Sequence, residues 1–206
     1  MNRKIVQLGA ALSLSLGLAG CISLFPDSEP AQLYTFKGAI PAVTAQVATV
    51  SVQRGATIFT RPAAGDRILT RNGAEATYIG GARWAAPAST LFDEGLAAAF
   101  DSSPVRIAAR GEPGLADAQL RVEVRTFEAQ YRDGLERPPT VVVEARGTLL
   151  SQRERAVLGT MVFRAEQGAV DNRTGPIVEA FDAATGMVLQ QMVGWTAETV
   201  KPAPPR

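Results

Sequence analysis

The sequence predicts an α+β fold for residues 33–200, a single domain in which a mixed or mainly antiparallel sheet carries two helices packed on one face. Three observations carry this expectation. Runs that alternate apolar and polar side chains outnumber runs of helical period, and the two helical runs fall mid-chain and at the C-terminal end rather than between successive strands. An Asn-Gly pair also separates two of the extended runs. Strict strand–helix alternation, which marks a doubly wound parallel sheet, is missing.

Leu33–Phe36 and Val47–Gln53 read as the first strands, the second with Ala48, Val50 and Val52 on one face and Val47, Thr49 and Ser51 on the other. Arg67–Arg71, Asn72-Gly73 and Ala74–Ile79 read as a hairpin, because Asn-Gly suits the positive φ of a type I′ turn. Gly80-Gly81 then breaks the chain, and Gly111-Glu-Pro-Gly114 is turn punctuation of the same kind. From Pro87 to Phe100, Ala88, Leu91, Phe92, Leu96 and Ala99 recur at helical spacing, with Pro87 suited to the first turn.

Three longer strands follow, Ala118–Tyr131, Thr140–Leu150 and Ala156–Glu166. In the first of them Leu120, Val122 and Val124 face one way, after which Phe127, Ala129 and Tyr131 take over the opposite phase. A bulge or twist near Thr126 reconciles the two registers. The last element, Gly175–Val200, places Ile177, Phe181, Ala184, Val188, Met192 and Trp195 at intervals of three or four and is the strongest helix. Asp171, Asn172 or Thr174 stands where its cap belongs. Trp84 and Trp195 read as core anchors.

Ahead of this domain, Arg3 and Lys4 precede an apolar run from Ile5 to Ala19. As a helix of ~15 residues it reaches roughly 22 Å, short of the ~30 Å hydrocarbon core of a bilayer, so it reads as a secretion signal over residues 1–20 rather than a membrane span. The signal ends in Leu18-Ala19-Gly20-Cys21, which resembles the lipobox of bacterial lipoproteins. That resemblance places signal-peptidase cleavage between Gly20 and Cys21 and a covalent diacylglycerol plus an N-acyl chain on Cys21, with no other cofactor expected. By the sorting rule of such lipoproteins, an Asp after the lipidated cysteine favours the inner membrane; here the residue is Ile22, which implies the periplasmic face of the outer membrane. Residues 21–32, with Pro26, Asp27, Ser28, Glu29 and Pro30, read as a lipidated tether, and the Pro-rich residues 201–206 as a tail.

Composition narrows the function. The chain has no histidine and one cysteine, so the commonest general base and the commonest transition-metal ligand are absent. Ser-His-Asp and Cys-His sites and the usual zinc sites are excluded. A net charge of +1 without a basic cluster gives no footprint for nucleic acid. Asp93-Glu94 reads as a solvated helix face rather than a catalytic pair, since neighbours on a helix point apart. Arg121, Arg125 and Arg146, beside Glu123 and Glu144, most simply form cross-strand pairs and are the candidate partner surface.

Behind the lipobox come Tyr34, Val50-Ser51-Val52, Arg61-Pro62 followed by Ile68-Leu69-Thr70-Arg71, and Arg83-Trp84-Ala85-Ala86-Pro87 leading into the first helix. Leu120 to Phe127-Glu128 and Ala180-Phe181-Asp182 through Trp195 complete the series. In this order and spacing they resemble the ABC-type transport auxiliary lipoproteins, a group that includes the lipoprotein of the paraquat-inducible Pqi system and accompanies MCE-domain lipid transporters. The chain departs from that pattern at Ile58-Phe59-Thr60, where an aromatic-Leu-Asp often precedes the Arg-Pro pair. The resemblance implies a non-catalytic accessory in lipid traffic between inner and outer membranes. Its implied partners are an MCE-domain protein, an ABC permease and ATPase, and the membrane that receives the lipid anchor.

Overall fold

Alternation along the chain becomes a mixed eight-stranded sheet in the computed structural model, which describes residues 30–36, 50–101, 103, 105–108 and 116–200. The elements are β1 (Gln32–Tyr34), β2 (Val50–Phe59), α1 (Arg61–Ala64), β3 (Arg67–Asn72), β4 (Glu75–Trp84), α2 (Ala88–Asp101), β5 (Val105–Ala108), β6 (Ala118–Gln130), β7 (Thr140–Ser151), β8 (Val157–Gly168) and α3 (Thr174–Thr199). They belong to one unit, Ala31–Arg206. Cys21, the signal, the proposed tether up to Glu29, Val47–Thr49, Gly111–Gly114 and the tail lie outside the described residues.

Strand β6 organises the sheet. Along one edge it forms an antiparallel meander with β7 and β8, pairing Ala118 with Ser151 at one end and Gln130 with Thr140 at the other. Along the other edge it takes two parallel partners in series: β2 lies against Ala118–Val124, and β3 against Ala129–Gln130. The sheet therefore forks, with β5 continuing beyond β2, and β4 then β1 continuing beyond β3. The short α1, to which no element corresponds in the sequence reading, bridges the fork with Pro62 in its first turn; just before it, the Thr60 amide donates to the Val124 carbonyl at 3.0 Å. Strand β5 is likewise an addition, four residues long with no alternation to announce it.

The bulge expected near Thr126 is present. Val124 opposes Ala145 and Thr126 opposes Glu144, so Arg125 is the extra residue. The slip turns Leu120, Val122 and Val124 and then Phe127 and Ala129 toward the same side, all buried. There they meet Leu91, Phe92, Leu96 and Ala99 of α2 and Ile177, Phe181, Ala184, Val188 and Met192 of α3. Both helices cover this one face. Phe127 sits at its centre, with the rings of Phe36, Phe59, Trp84 and Phe181 at centroid distances of 4.9 to 6.3 Å. Edge-on and tilted arrangements of this kind add about 0.5–1.5 kcal/mol per pair beyond area burial.

The hairpin of β3 and β4 forms, but the expected turn is corrected: Asn72 pairs with Glu75, so the loop is Gly73-Ala74, and Gly73 alone takes a positive φ, 57°, as the first loop position of a type II′ turn does. Gly80-Gly81 does not end the strand. The register instead jumps from Leu69 opposite Tyr78 to Arg67 opposite Arg83, and Gly81 takes φ 67° inside an enlarged bulge, beyond which β4 goes on to pair with β1. The cap expected for the last helix also differs. Arg173 occupies the N-cap position without a side-chain cap bond. Asp171 accepts from the Arg173 Nε at 2.6 Å, and Asn172 is drawn away to Tyr131 Oη and the Leu135 carbonyl. Trp84 is a core anchor at 2% exposure, whereas Trp195 is half-buried and packs edge-on against Phe163.

Candidate functional site

The face of the sheet turned away from the helices carries the charged side chains of β6, β7 and β8, and its two halves are organised differently. Over the C-terminal half of β6 the charges close on one another. Arg71 Nε donates to Glu128 at 2.7 Å, Arg132 to Glu166 at 2.7 Å, and Arg164 to Glu144 at 2.9 Å and Glu166 at 2.7 Å. Val142, opposite Glu128 and Glu166 in register, is buried beneath them. Hydrogen bonds first from Arg132 and then from Arg164 hold the Glu166 carboxyl down at about 2, and the bond to Glu128 raises the Arg71 guanidinium above its usual range.

Over the N-terminal half of β6 lies an open pocket of about 530 Å³. Gly55, Ala56 and Ile58 of β2, Arg121 and Glu123 of β6, and Arg146 of β7 are its principal walls. A bulge in β2 creates it. Arg54 pairs with Leu120 and Thr57 with Val122, so Gly55 and Ala56 together oppose Arg121. A β-carbon at Gly55 would stand 2.8 Å from the Leu120 carbonyl oxygen, and only glycine permits this approach. The slip also reverses the phase of β2. Arg54 and Thr57 both reach the helix side, where the Arg54 guanidinium donates to the Asp93 carbonyl at 3.2 Å and Thr57 Oγ1 to the Asp93 carboxylate at 2.6 Å. Ile58 is thereby sent outward. Asp93 thus anchors α2 to β2, while Glu94 is the solvated residue of the pair.

Of the three arginines singled out from the sequence, Arg121 and Arg146 meet in this pocket and Arg125 does not line it. The cross-strand pairing expected among them is corrected. Arg125 bonds Glu123 two residues earlier on its own strand at 3.1 Å, because the bulge has removed it from the ladder. Glu144 is taken by Arg164 of β8. Arg146 lies opposite Glu123 in register but closes no ion pair among the described residues, and Arg121 donates to the neutral Gln119 Oε1 at 3.1 Å. Gly55 and Ala56 are absent from the sequence reading, and Ile58 enters it only as a departure from the family pattern. Their signal is the change of phase between Val52 and Thr57, the same kind that marks Thr126.

Among the described residues no group of His, Cys, Asp and Glu side chains could hold a metal ion, and no helix is long and apolar enough to cross a membrane. A family model described as the ABC-type transport auxiliary lipoprotein component matches residues 34–193, a span holding the fork, the bulges of β2, β4 and β6, and the pocket. The chain belongs to this family. Its fold is shared by protein XCC0632 from Xanthomonas campestris, with a TM-score of 0.73 at 24% identity over 82% of this chain and 96% of that one. A second crystal structure, of an uncharacterized protein, gives a TM-score of 0.64 at 16% identity over 82% and 99% of the two chains. No curated protein matches. Family membership makes the chain an auxiliary lipoprotein component of ABC-type transport, which agrees with the resemblance seen in its motifs.

Proposed function

We propose that this auxiliary lipoprotein is a non-catalytic subunit of an MCE-type ABC lipid transport system, held by lipid on Cys21 at the periplasmic face of the outer membrane. There it docks the MCE-domain conduit that reaches across from the inner membrane, where a permease and an ATPase supply the energy. The observation that carries this reading is the family match over residues 34–193. The lipobox ending at Cys21 and the motif series shared with the Pqi-type lipoproteins supply the finer detail.

Co-purification from detergent after crosslinking tests the partnership. An MCE-domain protein is expected with the lipoprotein, and its reproducible absence would overturn the reading. Separation of the two membranes on a density gradient tests the location, with the protein expected in the outer-membrane fraction. The competing role, a lipid shuttle independent of a transporter, calls for an apolar cavity between helices and sheet. That layer is filled by Phe92, Phe127, Phe181 and Leu189, while the pocket described above is open, partly charged and on the opposite face. Lipid bound to the purified protein by mass spectrometry, without any transporter partner, would revive the shuttle.

A further inference from the structure

On the solvent face of the sheet, Arg71, Arg132 and Arg164 each hold a carboxylate at 2.7 to 2.9 Å. The pocket beside β2 breaks this pattern. Two guanidiniums, Arg121 and Arg146, line it with one carboxylate, and that carboxylate, Glu123, is already bonded at 3.1 Å to Arg125 outside the pocket. The pocket therefore carries positive charge that the protein itself does not answer. Guanidiniums take carboxylates in planar, two-point fashion, so what they call for is an anionic oxygen pair.

The pocket floor adds a second demand. Gly55 and Ala56 have no ladder partner of their own on β6, and on the other side of β2 the pairing with β5 ends at Gln53. The regular ladder is thus interrupted beside the open pocket, a place where an extended chain can lie along β2. Ile58, 64% exposed at the rim, supplies an apolar contact of the kind that partner surfaces use. A lipid tail needs an enclosed apolar cavity, and this pocket is open and carries the charges of Arg121, Glu123 and Arg146.

We propose that this pocket is a docking point for an extended acidic segment of a partner protein, whose carboxylates engage Arg121 and Arg146 and whose main chain lies along the Gly55–Ala56 bulge. This rests on the docking role proposed above and names the place and the chemistry through which it is exercised.

The test uses the full-length lipoprotein in its own membrane, with the photo-crosslinking residue p-benzoylphenylalanine replacing Ile58. Irradiation is expected to join it to a protein, and peptide mapping is expected to place the crosslink within a segment rich in Asp and Glu. The double substitution Arg121→Glu with Arg146→Glu should lower the crosslink yield about tenfold or more, as loss of interfacial charge pairs does. Arg→Lys at both sites should retain part of it, and Glu→Arg in the mapped segment should restore it to the charge-reversed protein. Circular dichroism of the variants shows whether they remain folded. An unchanged crosslink after charge reversal, or a crosslink to lipid alone, overturns the proposal. If the MCE-domain protein still co-purifies in those cases, the pocket has failed and the docking role stands. If it never co-purifies while Ile58 is joined to an acidic segment of another identified protein in an arginine-dependent way, the pocket stands and the MCE partnership has failed.

Discussion

The Trp195 indole lies against the bare backbone of Gly147, so that a β-carbon added there would stand 3.1 Å from its Cζ3 and 3.1 Å from Cε2 of Phe163. Gly159 on the next strand is covered by the same ring, at 3.2 Å from its Cζ2. These glycines form a shallow seat in the sheet for the C-terminal end of α3. Gly147→Ala is expected to cost about 1–3 kcal/mol, as overpacking does, and Gly159→Ala less, because one of its neighbours is the Thr199 methyl. Urea unfolding should show a lower midpoint with an unchanged slope. An unaltered midpoint would mean that the indole swings away without loss.

Glu128 is buried at 5% exposure and receives Arg71 Nε at 2.7 Å and Gln130 Nε2 at 2.9 Å. Arg71→Met removes the cation and leaves the carboxylate in place. The Arg71 side chain is 41% exposed, so water moderates the loss, and about 1–3 kcal/mol is expected. Adding Glu128→Met should recover most of it, since an apolar pair carries no stranded charge. A double variant less stable than Arg71→Met would contradict this account.

The pH dependence of stability has a definite sign at Glu166. Its folded value of about 2 lies below the usual 4.5, so its contribution is fully present above about pH 4.5 and is lost as the pH falls toward 2. The carboxylate is partly exposed, which keeps the effect below about 1 kcal/mol. Glu166→Gln is expected to flatten the acid limb of the stability curve within that window and to leave its neutral region nearly parallel to wild type. A steeper acid limb in the variant would be inconsistent with this assignment.

Cys21→Ser is expected to give a folded domain released from the membrane fraction and unable to complement a deletion strain. On the proposed acylation, each methylene contributes about 0.8 kcal/mol of anchoring, so a domain without the chains is expected to leave the membrane. Full complementation by the released protein would show that the anchor is dispensable.

Much of this architecture is legible in the sequence because burial writes itself in period. The stripe from Ile177 to Met192 and the two phases of β6 on either side of Thr126 follow directly from which side chains must leave water. Arg125 shows the limit of such reading: periodicity locates a slip but not which residue is extruded, and that choice decides its ion-pair partner. The pocket depends on a slip in β2 whose trace in the sequence is that Val50 and Val52 stand out of phase with Phe59, and the weakly apolar stretch around Gly55 between them does not say where it falls. Strand β5 is too short for alternation, and Asn172 is taken from the helix end by Tyr131, a partner distant in sequence. What one residue alone determines is visible early, and what two distant residues determine together is not.

The fork at β6 also sets an order of assembly. β2 and β3 form no ladder with each other and share an edge of β6, with Val52 pairing with Ala118 and Thr70 with Ala129. A chain that emerges from its N-terminus therefore presents these strands well before their common neighbour exists. By contrast, β6, β7 and β8 follow one another as adjacent hairpins and can close as soon as they appear. Local closure is fast and distant closure is slow. Val50 and Val52, buried in the finished domain, must consequently wait in water for the later half of the chain to provide their sheet, while Ile68 and Leu69 have until then only their own hairpin with β4.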